Sequence, residues 1–232
     1  MKTFYIILLA LSVCSVSFSQ ISEITRLPVQ DKAKEYRESS PIVISENEIL
    51  IFYCTSNSKT IDYFSKEDDT LYFSKSTNGG LNWNSPIFIT EIGKLQYFSQ
   101  NWFLTSLRTS SGRIILAWSD WKNGNITSIF SDDNGLTWFD KSVITSLHRN
   151  YLNLSEIDSG RVILSYVDLL NKTAYFKESF DDGDTWSPDT KTFMLSSKTI
   201  RYLSFINLGE RILGFFEYDN SGIYYKESTT PI

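Results

Sequence analysis

Residues 131–138 read Ser131-Asp132-Asp133-Asn134-Gly135-Leu136-Thr137-Trp138, and the stretch recurs. Ser179-Phe180-Asp181-Asp182-Gly183-Asp184-Thr185-Trp186 repeats it, and Ser76-Thr77-Asn78-Gly79-Gly80-Leu81-Asn82-Trp83 is a more diverged copy. The shared template is Ser-x-Asp/Asn-x-Gly-x-Thr-Trp, called the box below. The short acid or amide bonds backbone N–H groups of its own turn. The glycine supplies the positive φ of a tight hairpin. The tryptophan anchors a narrow turn with a large apolar side chain whose N–H can still find a partner. The boxes are therefore expected to be hairpin staples and not catalytic groups.

Box starts at Ser76, Ser131 and Ser179 are 55 and 48 residues apart, and other landmarks keep the same beat. Ser111-Gly112-Arg113-Ile114-Ile115-Leu116-Ala117-Trp118 is matched by Ser159-Gly160-Arg161-Val162-Ile163-Leu164-Ser165-Tyr166 and by Gly209-Glu210-Arg211-Ile212-Leu213-Gly214-Phe215-Phe216. An earlier copy is Glu46-Asn47-Glu48-Ile49-Leu50-Ile51-Phe52-Tyr53. An alternating strand leads into each box, and a short strand follows it. Several short strands repeating at this period predict propeller blades, and hence an all-β chain with about four recognisable blades. The units open near Pro41, Phe103, Leu152 and Tyr202. Only residues 29–38 have helix-friendly composition, and an extended arm is an equal reading of them. The fourth unit reaches Ser228 without a box or closing strand. Residues 21–37 acting as a strap, a longer propeller and a partner chain are the three ways to close its open edge.

The chain has 232 residues, enough for one large domain with a substantial core. Lys2, an apolar run over residues 4–11 and the small residues Ser15, Ser17 and Ser19 predict a signal peptide over residues 1–19. The expected organisation is that leader, an N-terminal arm over 20–40, and a propeller domain over 41–232. Export to the periplasm or the cell exterior follows from the leader. No later run is long enough to span a membrane. The formal charge is −5, and −6 once Lys2 is removed, which disfavours nucleic acid and anionic membrane surfaces as partners. Cys54 is the one cysteine beyond the leader, so no intrachain disulfide is expected, and its apolar strand reads as a buried position.

The boxes resemble the Asp-boxes, or BNR repeats, of the sialidase (neuraminidase) superfamily, with a similar blade layout from residue 41 onward. That resemblance implies a six-bladed propeller, incomplete here, and cleavage of terminal sialic acid from glycans. It also implies that the boxes lie at the blade rims, away from the site. An anomeric carboxylate calls for converging guanidinium groups, which pair with it bidentately. The family's first arginine maps to Arg37 in Tyr36-Arg37-Glu38-Ser39, with Glu38-Ser39 replacing the family's Ile-Pro. Arg149, before Asn150-Tyr151-Leu152, and Arg201, before Tyr202-Leu203, open strands in the same manner. Arg37, Arg149 and Arg201 are the expected substrate-binding set. Arg113, Arg161 and Arg211 recur at a turn and read as structural.

The family's acid/base aspartate lies between the second and third strands of the first blade. Asp62, Asp68 and Asp69 are there, and Asp62 is the best placed. Tyr202, Tyr218, Tyr224 and Tyr225 are available as nucleophile, with Glu156 and Glu217 as support, and no spacing selects among them. His148, the single histidine, reads as a bystander. Zinc-ligand spacing, a phosphate-cradling loop, a Gly-x-Ser-x-Gly elbow and EF-hand spacing are all absent from the sequence, so no metal or cofactor is expected. Asn125, Asn153 and Asn171 open glycosylation sequons, relevant in a eukaryotic host. Two functions follow: an exo-sialidase-like glycoside hydrolase acting on a glycan or glycoconjugate, or a non-catalytic carbohydrate-binding or scaffold propeller. The sequence leaves the oligomeric state open.

Overall fold

The structure, a computed structural model, describes residues 35–56, 69–93, 103–120, 123–146, 150–168, 173–187, 191–193, 200–208, 211–218 and 222–228. For 35–38, 56, 150, 191–193, 200–202, 218 and 228 it describes the backbone. These residues form four antiparallel sheets, and no helix occurs among them. Sheet 1 is β1 (Glu35–Val43), β2 (Ile49–Ser56), β3 (Asp69–Ser76) and β4 (Ile87–Gly93). Sheet 2 is β5 (Leu104–Arg108), β6 (Ile114–Asp120), β7 (Asn125–Ser131) and β8 (Ser142–Thr145). Sheet 3 is β9 (Asn150–Asp158), β10 (Arg161–Asp168), β11 (Thr173–Ser179) and β12 (Lys191–Phe193). Sheet 4 is β13 (Ile200–Asn207), β14 (Ile212–Tyr218) and β15 (Ile223–Ser228), with three strands. Each sheet is a simple meander.

The first strands of successive sheets lie against one another, β1 on β5, β5 on β9 and β9 on β13. The second strands of sheets 2 and 3, β6 and β10, are buried on both faces, which explains why they read as continuous apolar runs instead of alternating ones. Ile114, Leu116 and Trp118 of β6 enter the core shared with sheet 1. Ile115 and Ala117 of the same strand enter the core shared with sheet 3. A third core, including Val167, Phe176, Phe205 and Phe216, joins sheets 3 and 4. Cys54 is fully buried, as its apolar strand predicts.

β1 takes in residues 35–40, ahead of the expected opening near Pro41, and its pairing with β2 runs from Glu35↔Ser56 to Val43↔Ile49. Pro41 sits inside it without cost because β1 is the first strand of its sheet and one of its edges needs no ladder partner. Ser39 and Ser40 break the apolar pattern that would mark the strand, and both line a cavity. Of the residues with helix-friendly composition, 35–38 are strand.

All three boxes lie between the third and fourth strands of their sheets and share one geometry. Ser131 Oγ donates to Asp133 Oδ1 (2.8 Å) and accepts from Gly135 N (2.9 Å). Asp133 in turn accepts from Thr137 N (2.8 Å) and Thr137 Oγ1 (2.6 Å). Ser179, Asp181, Gly183 and Thr185 repeat these bonds. In the diverged copy Asn78 Oδ1 replaces the acid, accepting from Ser76 Oγ (3.1 Å) and Asn82 N (2.8 Å). The glycines have φ of 90°, 85° and 88°, and the residues before them, Gly79, Asn134 and Asp182, are also positive. Two successive positive φ values are the requirement of a type I′ turn, which restricts this position to Gly, Asn or Asp.

Each following box reaches the preceding sheet. Trp138 meets Phe52 edge-on, with ring centroids 5.8 Å apart. Arg113 pairs with Asp132 of its own sheet's box through Nε (2.6 Å) and with Asp184 of the next box through Nη1 (2.6 Å), and it covers Phe130 at 3.9 Å. The bond to Asp132 chiefly raises the already high Arg113 pKa against the opposing effect of burial. Arg161 pairs with Glu178 and Arg211 with Glu227. The recurring arginines of the turn are thus structural ties.

Candidate functional site

In a meander the first and third strands run the same way. The beginnings of the first strands therefore share one end of the sheets with the loops after the second strands. The boxes, which follow third strands, occupy the opposite end. At the first-strand end the four sheets surround a cavity of about 250 Å³. Its lining comes from two levels of the axial strands. Ser39, Leu104, Leu152 and Leu203 hold one level, and Ser40, Thr105, Asn153 and Ser204 the next, with Tyr151 beside them. The levels are set by register, since Leu104, Leu152 and Ser39 stand opposite or beside Trp118, Tyr166 and Tyr53, equivalent positions of the second strands. The second level is polar in all four sheets.

The register also places the predicted arginines. Arg37 is the partner of Cys54 and Arg201 the partner of Glu217, and these partners hold the same place in the repeat. The equivalent residue of sheet 3, Val167, is partnered by Asn150. Arg37 and Arg201 therefore share one register position, each two residues ahead of a cavity-lining residue, roughly 7 Å along a strand. Arg149 is one residue ahead of that position and lies outside the described residues, as does Asp62. In sheet 2 the level belongs to Phe103, whose carbonyl accepts from Ser119 N (3.0 Å).

A β-bulge follows this position in β1, β9 and β13. Bulges bend a strand and re-aim its side chains. In β9 the bulge includes Tyr151 at φ 57°, a left-handed conformation for a bulky aromatic that is 7% exposed. Such a conformation costs on the order of 1–3 kcal/mol and persists where the surroundings over-determine it. Tyr151 packs in the core between sheets 3 and 4 while bordering the cavity.

Other candidates are sorted by the same topology. Glu156 accepts from Ser110 N and Ser110 Oγ, both at 2.7 Å, tying sheet 3 to sheet 2 at the box end. Tyr224 and Tyr225 lie on β15, the last strand of sheet 4, stacked on Phe216 and beside Phe215 respectively. Tyr202 is in the bulge of β13, beside Arg201. Tyr218 is the partner of Ile200 at the first-strand end, and Glu217 is the partner of Arg201. His148, Asp68 and Asn171 lie outside the described residues. Asp69 opens β3 as a buried carboxylate.

Sequence reading missed the cavity residues Tyr151, Asn153, Thr105 and Ser204. A signal for them exists: Tyr151-Leu152-Asn153, Tyr202-Leu203-Ser204 and Phe103-Leu104-Thr105 repeat an aromatic-Leu-polar triplet. Asn153 also belongs to a sequon, yet it lines the cavity on an axial strand, with Oδ1 accepting from Ser155 Oγ at 2.9 Å. Among the described residues, no group of three or more His, Cys, Asp or Glu side chains is placed to hold a metal ion. No helix among them is long and apolar enough to cross a membrane.

No known protein-family profile matches the sequence. A sialidase of Paraclostridium sordellii is 29% identical over an alignment covering 51% of this chain and 39% of that protein. Among solved structures, the Hadza microbial sialidase Hz136 superposes with a TM-score of 0.56 at 17% identity, covering 85% of this chain and 43% of the other. An α-L-arabinanase of Penicillium chrysogenum superposes with a TM-score of 0.60 at 15% identity, covering 84% and 63%. The chain spans less than two thirds of the length of each of these proteins. Similar in sequence to a sialidase, and in fold to a sialidase and an arabinanase, the chain has the fold of a β-propeller of the sialidase type.

Proposed function

We propose that this chain is an exported sialidase-like glycoside hydrolase that binds a terminal acidic sugar at the axial cavity. The observation that supports the reading most is the shared register of Arg37 and Arg201 beside a cavity lined by all four sheets. In this reading the arginines, with Arg149, pair with the sugar carboxylate and fix its orientation, since planar guanidinium groups match a carboxylate bidentately. Asp62 is the acid/base carboxyl of this reading, delivering its proton to the departing glycosidic oxygen as water takes the anomeric carbon in the overall hydrolysis. The cavity is smaller than most ligand pockets, roughly 300–1,000 Å³, and suits one sugar ring over an oligomer. The boxes, on the opposite end, hold the sheets together.

Hydrolysis of a fluorogenic sialoside tests the proposal. The folded chain should turn the substrate over. Arg37→Ala and Arg201→Ala should each lower kcat/KM about 10- to 100-fold, the value of a charge-assisted hydrogen bond of roughly 1.5–3 kcal/mol. Rates unchanged in Arg37→Ala would remove that arginine from the site. Glycan binding by the folded chain without turnover would favour the binding or scaffold reading.

A further inference from the structure

The four polar residues at the second level of the cavity are not equivalent. Ser40 Oγ is engaged with sheet 2, bonded to Ser106 Oγ (2.6 Å) and accepting from Ser106 N (3.1 Å). Thr105 Oγ1 is engaged with sheet 3, accepting from Leu154 N (3.2 Å). Both hydroxyls tie neighbouring axial strands together and are spent on the fold. Asn153 is the one amide at this level, and its bond is to Ser155 of its own strand. That bond holds the carbonyl end of the amide, since Ser155 Oγ donates to Oδ1. The nitrogen end, with two N–H donors, has no partner among the described residues. Asn153 borders a cavity next to a bulge that carries Tyr151 in a left-handed conformation.

We propose that Asn153 is a positioning residue of the cavity, donating from Nδ2 to a hydroxyl or carbonyl oxygen on the neutral side of a bound sugar ring. The inference rests on the glycoside reading above and adds to it the part of the ligand that guanidinium groups do not read. A carboxylate accepts from arginine, whereas the remaining oxygens of a sugar need a neutral donor that adds no charge. An amide clamped at its oxygen fills that role with little orientational freedom left to lose, which is the advantage of a preorganised donor. Ser155 has the supporting part. The sequon formed by Asn153, Leu154 and Ser155 is then the record of a clamp within an axial strand.

The test uses the full chain and two variants, Asn153→Ser and Asn153→Asp. The first places in β9 the side chain that β1 and β13 already carry at this level, so folding is preserved. The second keeps the acceptor for Ser155 and removes the donors. Affinity for N-acetylneuraminic acid is measured by titration calorimetry, and KM and kcat with the fluorogenic sialoside, alongside thermal midpoints. Both variants should bind about tenfold more weakly, with KM raised more than kcat is lowered and Asn153→Ser melting with the wild type. Wild-type affinity and KM in Asn153→Ser would overturn the assignment, as would an equal loss of kcat and stability without a change in affinity. If the wild type does not bind the acidic sugar, the sialidase-like reading fails and arabinobiose and galactose serve as neutral probes. A tenfold weaker binding of either by Asn153→Ser then upholds the assignment, and no binding or no difference overturns it.

Discussion

At the scale of single residues, the box carboxylates carry a pH dependence with a definite sign. The Thr137 hydroxyl, then the Thr137 backbone N–H, hold Asp133 at a pKa of about 2, below its ordinary 3.8. Burial of Asp181 works against ionisation, yet the hydroxyl and N–H of Thr185 and the hydroxyl of Ser179 bring its pKa below the ordinary value. A group whose folded pKa is depressed binds protons more readily in the unfolded chain, so its contribution is complete above the unfolded pKa. Stability from these two residues should therefore be full above about pH 4 and fall away as the pH drops towards about 2. Asp133→Asn should keep the turn, as Asn78 does in the first box, while reducing the loss of urea midpoint between pH 7 and pH 3. A variant with the wild-type pH profile would contradict this account.

At the scale of the element, the box works as a clasp between neighbouring sheets, and its tryptophan supplies the contact area. Trp138 is attached to sheet 2 and meets Phe52 of sheet 1, in whose core it shares. Trp138→Ala should cost about 3 kcal/mol, the lower part of the range for aromatic truncations, in a urea titration at neutral pH. Trp138→Phe should cost much less, because Nε1 of Trp138 has no hydrogen-bond partner among the described residues and none is lost. In the first box Trp83 Nε1 does donate, to Gly80 O at 3.0 Å, so the expected N–H partner is present in that copy alone. The same clasp explains the close fit at Gly183. With φ at 88°, a Cβ there would stand 2.7 Å from Ile115 Cδ1 of the preceding sheet.

At the scale of the whole molecule, burial divides sheet 4 into two faces. Ile212 and Phe216 belong to the core shared with sheet 3. Ile223 and Tyr225, on the other face with Phe215, are 82% and 65% exposed. Ile223→Lys should change the unfolding free energy by less than about 0.5 kcal/mol, as for surface positions generally. Ile212→Ala should cost about 2–4 kcal/mol, since it leaves a cavity in a joint between sheets. Equal effects of the two substitutions in denaturant titrations would mean that the outer face is covered in solution. The cavity depends on the same scale, because no single sheet contributes more than one wall of it.

The sequence by itself determined the sheets, the places of the boxes and the structural role of Arg113, because turn chemistry and apolar runs are local and recur at the period of the repeat. It also marked the strand beginnings at Arg37 and Arg201, since an arginine before an apolar strand is visible without knowing its partner. Only the tertiary structure decided that Arg37 and Arg201 share a register while Asn150 takes the equivalent place in sheet 3, for one inserted residue shifts a strand without altering its composition. Only the tertiary structure, too, turned Ser40, Thr105, Asn153 and Ser204 into one level of a cavity, because residues from four separate sheets meet through the stacking of whole sheets about an axis and not through any spacing along the chain.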